Sequence, residues 1–358
     1  MRSSKGARPQ ASMGDVAVLA GVSLGTVSHV LNHPDRVTPA TAEKVLRAMA
    51  MLSYVPNGNA RSLAAGSSTA VGMVLPDLSN SLFIDVARGA ETAAERAGYT
   101  LMIANSNTRL ERESQHLRTF TQARVAGILL TLNDSEHFAA IADDDPTTTP
   151  TVMLNLAVPR SQFCSVSVDN QSGGHLATSH LIETGRRRLA FVGGPSSLEP
   201  VQHRATGFAH AVREHGVEHV RTINPAGVNR ADGWESGVAL LPQVLDGLID
   251  GVVAATDLLA AGIVQALSSE PRLRVPEDVA VVGYDNNQAA WDSPIPITTI
   301  AQPGEEMGRV GTELVLNEAQ RSADHVHRSV VLTPTLVVRR STQHPGAPRN
   351  DGARGGSS

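Results

Sequence analysis

Several things are scarce in this sequence, and each scarcity closes off a class of protein. One cysteine, Cys164, occurs in 358 residues. That excludes an intrachain disulfide framework and a cysteine-based zinc cluster, and Cys164 itself reads as a small buried apolar residue. Aromatic residues make up 3% of the chain, so Ala, Val and Leu must fill the core. The only lysines are Lys5 and Lys44; no phosphate-binding loop with its lysine exists, and neither a G-x-G-x-x-G fingerprint nor a G-x-S-x-G elbow is present. No apolar run approaches the roughly 20 residues that a membrane helix needs. The first ten residues are basic without an apolar segment, so no secretion signal is expected and a cytoplasmic setting is. Thirteen histidines hint at metal chemistry, but His175 with His180 and His203 with His210 lack a matching carboxylate pattern. The histidines therefore read as surface or structural residues, and no metal, cofactor or catalytic group is expected.

What is present describes a globular protein of two or three domains, 41% hydrophobic and 18% charged. Charge is divided unevenly. Residues 1–67 carry seven Arg and Lys against three Asp and Glu, a net +4, which leaves −9 on the remainder of a chain whose total is −5. A basic head on an acidic body suits a protein that touches phosphates with one end.

The head has a pattern. Val16, Ala17, Leu19 and Ala20 place small apolar groups on one face of a helix over about 14–20, and Gly21 ends it. Ser23 caps a second helix over about 24–32, in which Val27, Val30 and Leu31 pack inward and Leu24, Gly25, Ser28 and His29 face out. Thr38 and Pro39 open a third helix to about Leu52, with Ala42, Val45, Leu46 and Met49 as its buried stripe and Tyr54 against the same core. Two short helices about a tight turn, the second with a polar face, have the geometry that enters a major groove.

These residues also carry a resemblance. D-V-A-x-L-A-G-V-S-x-x-T-V-S-x-V-L-N from Asp15, followed by V-T-P-x-T, Y-x-P-N and A-R-S-L, is similar to the lactose-repressor (LacI/GalR) family of bacterial transcription regulators. The resemblance implies that Leu24, Gly25 and His29 read bases, that Thr26 and Ser28 contact phosphates, and that Asn32, Asn57 and Arg61 belong to the same DNA surface. It also implies that the segment 59–65 folds as a hinge helix on DNA beside a partner chain, with Leu63 as an apolar wedge in the minor groove. The family usually has arginine where this chain has His29. A neutral histidine offers one donor in place of two parallel ones, so altered base preference is expected there.

From Thr69 the chain alternates continuous apolar strands, such as Val71–Leu75 and Val279–Tyr284, with helices. That pattern repeats twice and predicts two doubly wound α/β lobes. The expected fold class is thus an all-α helix-turn-helix head plus an α/β core of two doubly wound lobes, which the resemblance implies are periplasmic-binding-protein-like. The expected boundaries are a basic tail over 1–11, the head over 12–56, a hinge over 57–69 and the core over 70–340. Within the core, the N-lobe takes about 70–168 and 301–325 and the C-lobe about 169–300 and 326–340. Residues 341–358 form a tail without a leucine heptad, so a homodimer is expected.

Ligands of open parallel sheets bind beyond the carboxyl ends of strands, which points to Pro76–Asn80, Asn105–Asn107, Asp257 and Asp285. The resemblance adds Asn80 and Phe83 from an N-P-F-F-like segment, with Phe83 stacking on a sugar, Arg204 from R-x-x-G-F, Asp257 before L-x-A-x-G, Asp285 of G-[FY]-D and Gln302 of T-T-I-x-Q. Carboxylates, an arginine, amides and one ring make a sugar site, since hydroxyls both donate and accept. The expected function is a repressor, not an enzyme, that a sugar releases from a pseudo-palindromic operator. A purine or nucleoside corepressor is the alternative effector. A sugar-binding transport component, the alternative class, would need an export signal and no helix-turn-helix.

Overall fold

The computed structural model describes residues 11–54, 68–144, 149–158, 163–320 and 324–343. The chain divides into two units, Met1–Ser68 and Thr69–Ser358.

The first unit is a three-helix cluster. Ser12 starts α1 (Met13–Ala20): its Oγ accepts from Asp15 N–H, while Asp15 Oδ2 accepts from Ser12 N–H at 2.8 Å. This reciprocal cap satisfies two otherwise orphaned donors and begins the helix one residue before the expected start. Gly21 ends α1 in the left-handed region, φ 66°, a conformation that costs glycine little. Ser23 Oγ caps α2 (Leu24–Asn32) by accepting from Thr26 N–H at 3.1 Å. α1 and α2 bend by 104° about this turn, within the range of helix-turn-helix pairs. α3 (Pro39–Met51) closes the cluster, and Val16, Ala17, Val27, Val30, Val45, Ala48 and Met49 form its core, with Tyr54 packed against it. Two expected core residues are exposed, Leu46 at 56% and Leu19 at 46%. Leu46 is one helical step past Val45, about 100° round the helix from the stripe that Ala48 and Met49 continue.

The second unit holds two six-stranded sheets. The strands and helices of the first half are β1 (Ala70–Leu75), α4 (Ser81–Arg96), β2 (Thr100–Asn105), α5 (Leu110–Gln122), β3 (Gly127–Thr131), α6 (Ser135–Asp144), β4 (Thr151–Leu154) and β5 (Cys164–Val168). The second half has α7 (Asn170–Glu183), β6 (Arg188–Val192), α8 (Glu199–Glu214), β7 (His219–Ile223), α9 (Arg230–Leu245), β8 (Gly251–Ala254), α10 (Asp257–Ser268), β9 (Ala280–Asp285), α11 (Gln288–Asp292) and β10 (Thr298–Ala301). The chain then returns through α12 (Gly304–Gln320), β11 (Ser329–Leu332) and β12 (Thr335–Val337).

The sheet orders are β11-β5-β4-β3-β1-β2 and β12-β10-β9-β8-β6-β7. All pairings are parallel except β10 with β12. The strands buried on both faces are continuous apolar runs, as β/α crossovers demand. The first crossing follows β5, and the second lies between β10 and α12, which packs on the N-lobe through Met307, Val315 and Leu316. The third differs from expectation. The sequence places residues from 326 in the C-lobe, but β11 pairs with β5 in the N-lobe sheet, Ser329 opposite Ser165 and Leu332 opposite Val168. The chain therefore crosses between Leu332 and Thr335, and β12 joins the C-lobe together with Ser341 and Thr342, which were expected in the tail but are buried there, Val281 N–H donating to Ser341 O at 3.1 Å. Among the described residues no single helix is long and apolar enough to cross a membrane.

Candidate functional site

Two surfaces carry candidate chemistry, one on each unit. On the head, Leu24 is 55% exposed, and Gly25 and His29 also face outward. The Thr26 hydroxyl lies 2.9 Å from Ser23 Oγ, and His29 is edge-on to His33 with centroids 6.2 Å apart. Gly25 is informative because the head does not need a glycine there. A Cβ at this helical position would meet Ser23 Oγ at 3.7 Å and nothing closer among the described residues. Glycine inside a helix costs about 0.5–1 kcal/mol relative to alanine, and no packing among the described residues accounts for it. Asn57, Arg61 and Leu63 lie outside the described residues, as does the side chain of Asn32.

In the core, a cavity of about 490 Å³ opens between the lobes at the carboxyl ends of strands from both sheets. Its C-lobe floor is built around Asp285, the last residue of β9. Asp285 has φ 117° and the next residue, Asn286, φ 60°; two consecutive side chains in the left-handed region hold backbone strain and turn the carboxylate into the cavity. Gln302 Nε2 donates to Asp285 Oδ1 at 2.7 Å and Asn80 Nδ2 to Oδ2 at 3.1 Å. The Arg204 guanidinium stands 3.6 Å from Oδ1. Arg204 is itself 4% exposed, donates from Nε to Asn170 Oδ1 at 2.8 Å and stacks on Tyr284, 3.7 Å from the ring centroid. Burial pushes the Asp285 carboxyl above its usual range, and the adjacent Arg204, with Asn80 and Gln302, opposes that shift.

Asn80 also joins the two lobes. It caps α4 by accepting from Leu82 N–H at 3.0 Å, and the same Oδ1 accepts from Asn287 Nδ2 at 3.0 Å, across the cleft. Beside it Ser81 Oγ accepts from Gln288 N–H at 2.8 Å. Phe83 lines the cavity while packing in the N-lobe core at 5% exposure.

Asn80, Phe83, Arg204, Asp285 and Gln302 all reach the cavity wall; Asp257 does not. It opens α10 at 0% exposure and turns away, its Oδ2 accepting from Asn287 N–H at 2.8 Å. Its cap, Thr256, and the following Leu258 line the cavity in its place. Burial, and then repulsion from Asp285, hold the Asp257 carboxyl well above the ordinary value.

The opposite, N-lobe end of the cavity holds residues that the sequence reading passed over. Glu113 on α5 is 2% exposed, accepts from Ser106 Oγ at 3.2 Å and pairs with His137 Nδ1 on α6 at 2.8 Å. Burial raises the Glu113 carboxyl, and His137 opposes it. Asn155 Nδ2 donates to Asn133 Oδ1 at 2.6 Å. Asn133 and Asn155 follow β3 and β4, so the strand-end rule could have found them; Glu113 and His137 sit on helix faces, where it has no purchase. Asn155 Oδ1 and Gln302 Oε1 are buried without a partner among the described residues. Both border the cavity, and both suit a ligand that donates hydroxyls.

A helix-turn-helix unit and a two-lobed binding core in one chain define a ligand-responsive transcription regulator. Known proteins agree. Residues 12–57 match the family of bacterial regulatory proteins of the lacI type, and residues 178–342 match a periplasmic binding protein-like domain. The chain is 35% identical over 342 residues to the HTH-type transcriptional regulator CelR of Thermobifida fusca, covering 93% of this chain and 98% of that one. It is 32% identical over 341 residues to the ribose operon repressor of Escherichia coli K12, with 92% and 99% covered. Among solved structures, the CelR–cellobiose complex superposes with a TM-score of 0.66 at 32% identity, covering 92% of this chain and 99% of that one. The lac repressor dimer bound to operator and an anti-inducer gives 0.78 at 26% identity, with 93% and 99% covered. The chain belongs to the lacI family and is a DNA-binding transcriptional regulator.

Proposed function

We propose that the protein is a cytoplasmic homodimeric repressor, without enzymatic activity, that a sugar of about disaccharide size releases from a pseudo-palindromic operator. The observation that carries the effector reading is the cavity. Its volume of about 490 Å³ lies within the range of small-ligand sites, its walls offer carboxylates, amides and an arginine, and two buried acceptors there have no partner among the described residues. A sugar supplies donors and acceptors in that mixture and an apolar ring face for Phe83. The relative solved with cellobiose supports the same class.

On DNA, Leu24, Gly25 and His29 of each subunit face base edges, and Thr26 and Ser28 take phosphates. Gly25 supports this, because a missing side chain on an outward helical face lets another backbone or a base approach closely. Asn57, Arg61 and Leu63 act with the paired hinges at the centre of the site. Sugar closing the cleft shifts the N-lobes and with them the population of hinges able to fold on DNA.

Selection of bound duplexes from a random pool tests the reading, with the full chain, Leu63→Ala and His29→Ala. A palindrome with a deformable central step is expected. Leu63→Ala should weaken it, and His29→Ala should relax one base position by roughly 1–3 kcal/mol. A folded protein that enriches no sequence, with or without pooled sugars and purines, would overturn it; enrichment only with a purine would replace release by corepression.

A further inference from the structure

We infer that the N-lobe contains a second ligand site, a four-coordinate site for a divalent transition metal such as zinc, formed by Cys164, Glu318, His325 and His327. The donors come from three elements: the first residue of β5, the last turn of α12 and the segment leading into β11. One donor atom from each residue lies within 4.8 Å of the others. Cys164 Sγ is 3.2 Å from His325 Nε2 and 3.9 Å from His327 Nδ1, and Glu318 Oε2 is 3.6 Å and 4.0 Å from the same nitrogens. Tetrahedral zinc, with bonds of about 2.0–2.3 Å, sets its donors roughly 3.3–3.6 Å apart. Contractions of up to about an ångström between donors, within reach of side-chain torsions, convert the observed cluster into a coordination shell.

Three further features match a metal better than a buried thiol beside chance histidines. Glu318 Oε2 is buried with no hydrogen-bond partner among the described residues, although two imidazoles stand near it. The other nitrogen of His325, Nδ1, lies 3.2 Å from Asn317 Oδ1. An N–H donated there leaves Nε2 unprotonated and aimed at the centre, the outer contact that orients metal-bound imidazoles. The backbone N–H of Arg328 donates to Cys164 Sγ at 3.3 Å, which offsets part of the rise that burial imposes on the free thiol; a bound metal displaces that proton. Thiolate, imidazole and carboxylate together suit zinc and cobalt rather than magnesium or calcium. The single cysteine rules out a cysteine-rich cluster, not this mixed one, and Cys164 is 161 residues from His325, which hid the grouping from any motif. The metal would tie the end of α12 and the approach to β11 onto β5, so its role is to hold the N-lobe's edge strand.

The test is a Co²⁺ titration of chelator-treated, untagged full-length protein, with Zn²⁺ competition and thermal unfolding. Wild type should give the intense visible bands of tetrahedral cobalt and a sulfur-to-cobalt charge-transfer band at one equivalent, both erased by zinc. Zinc in about hundredfold excess over its Kd should raise Tm by roughly 5 °C or more. Cys164→Ser should lose the charge-transfer band, and His327→Gln, at a partly exposed ligand, should weaken binding at least tenfold while folding normally. Weak octahedral cobalt spectra, a charge-transfer band that persists in Cys164→Ser, or a zinc effect on Tm shared by both variants would overturn the site and leave only adventitious binding to surface histidines.

Discussion

The two ends of the effector cleft are built on different terms. At the C-lobe end Asp285 and Arg204 are both buried, and Asp285 is braced by Gln302 and, from the other lobe, by Asn80. A charge held like this cannot lose a partner cheaply, because the remaining charge has no water to turn to. At the N-lobe end His137 keeps 22% of its side chain exposed over Glu113; an unpartnered amide oxygen occurs at both ends, on Asn155 and on Gln302. That end has slack. The floor is therefore inseparable from the stability of the lobe, while the far end can be changed to suit a ligand.

The sharpest way to break this contrast is Arg204→Ala, which should destabilise the core by about 3–5 kcal/mol in urea unfolding and abolish sugar binding. A loss under 1 kcal/mol would show that the floor is no more integral than the rim. His137→Ala should shift the balance toward binding. Sugar affinity by calorimetry should fall about tenfold, roughly 1.4 kcal/mol, with a smaller loss of stability than Arg204→Ala causes, since the part-exposed His137 site admits water to Glu113.

Asp257 sharpens the comparison from below the floor. Its carboxyl is held above the ordinary 3.8 by burial, so the folded chain keeps a proton that the unfolded chain releases as pH rises past that value. Folding stability from this group is then lost with rising pH. Asp257→Asn should be more stable than wild type at neutral pH, with a gap that narrows on acidification toward the ordinary value. Parallel stability curves for the two proteins would contradict this.

The smallest effect belongs to the head. Gly25→Ala should stabilise the isolated helical unit's contribution by about 0.5–1 kcal/mol, seen as raised protection of α2 amides in hydrogen exchange of the full chain, and yet weaken duplex binding. Stronger or unchanged binding would remove the argument that the glycine is there for DNA.

How much was legible in the sequence followed physical lines. Strands buried on both faces, such as β1 and β9, are unbroken apolar runs and stand out. β7 is an edge strand with exposed His219, Val220, Arg221 and Thr222, so its sequence carries no such run. Asp285 stands out because strand ends are where ligands sit, and Gln302 only through the resemblance of its T-T-I-x-Q segment. Asp257 was off by one: each step round a helix start turns a side chain by about 100°, and Thr256 reaches the cavity instead. Glu113 and His137 lie 24 residues apart on two helices, and only the packing of α5 and α6 brings them together. The last crossing was misplaced because β11 carries an exposed Val331 and a short mixed sequence that fits either sheet.

The central claim is that occupancy of the cleft and grip of the head are coupled. Calorimetric titration of the effector sugar into the full chain, free and saturated with its selected duplex, tests it most directly, since any coupling must be reciprocal. The account predicts tighter sugar binding to the free protein, and release of the duplex by sugar with the same factor. Equal sugar affinity in the two states would contradict it.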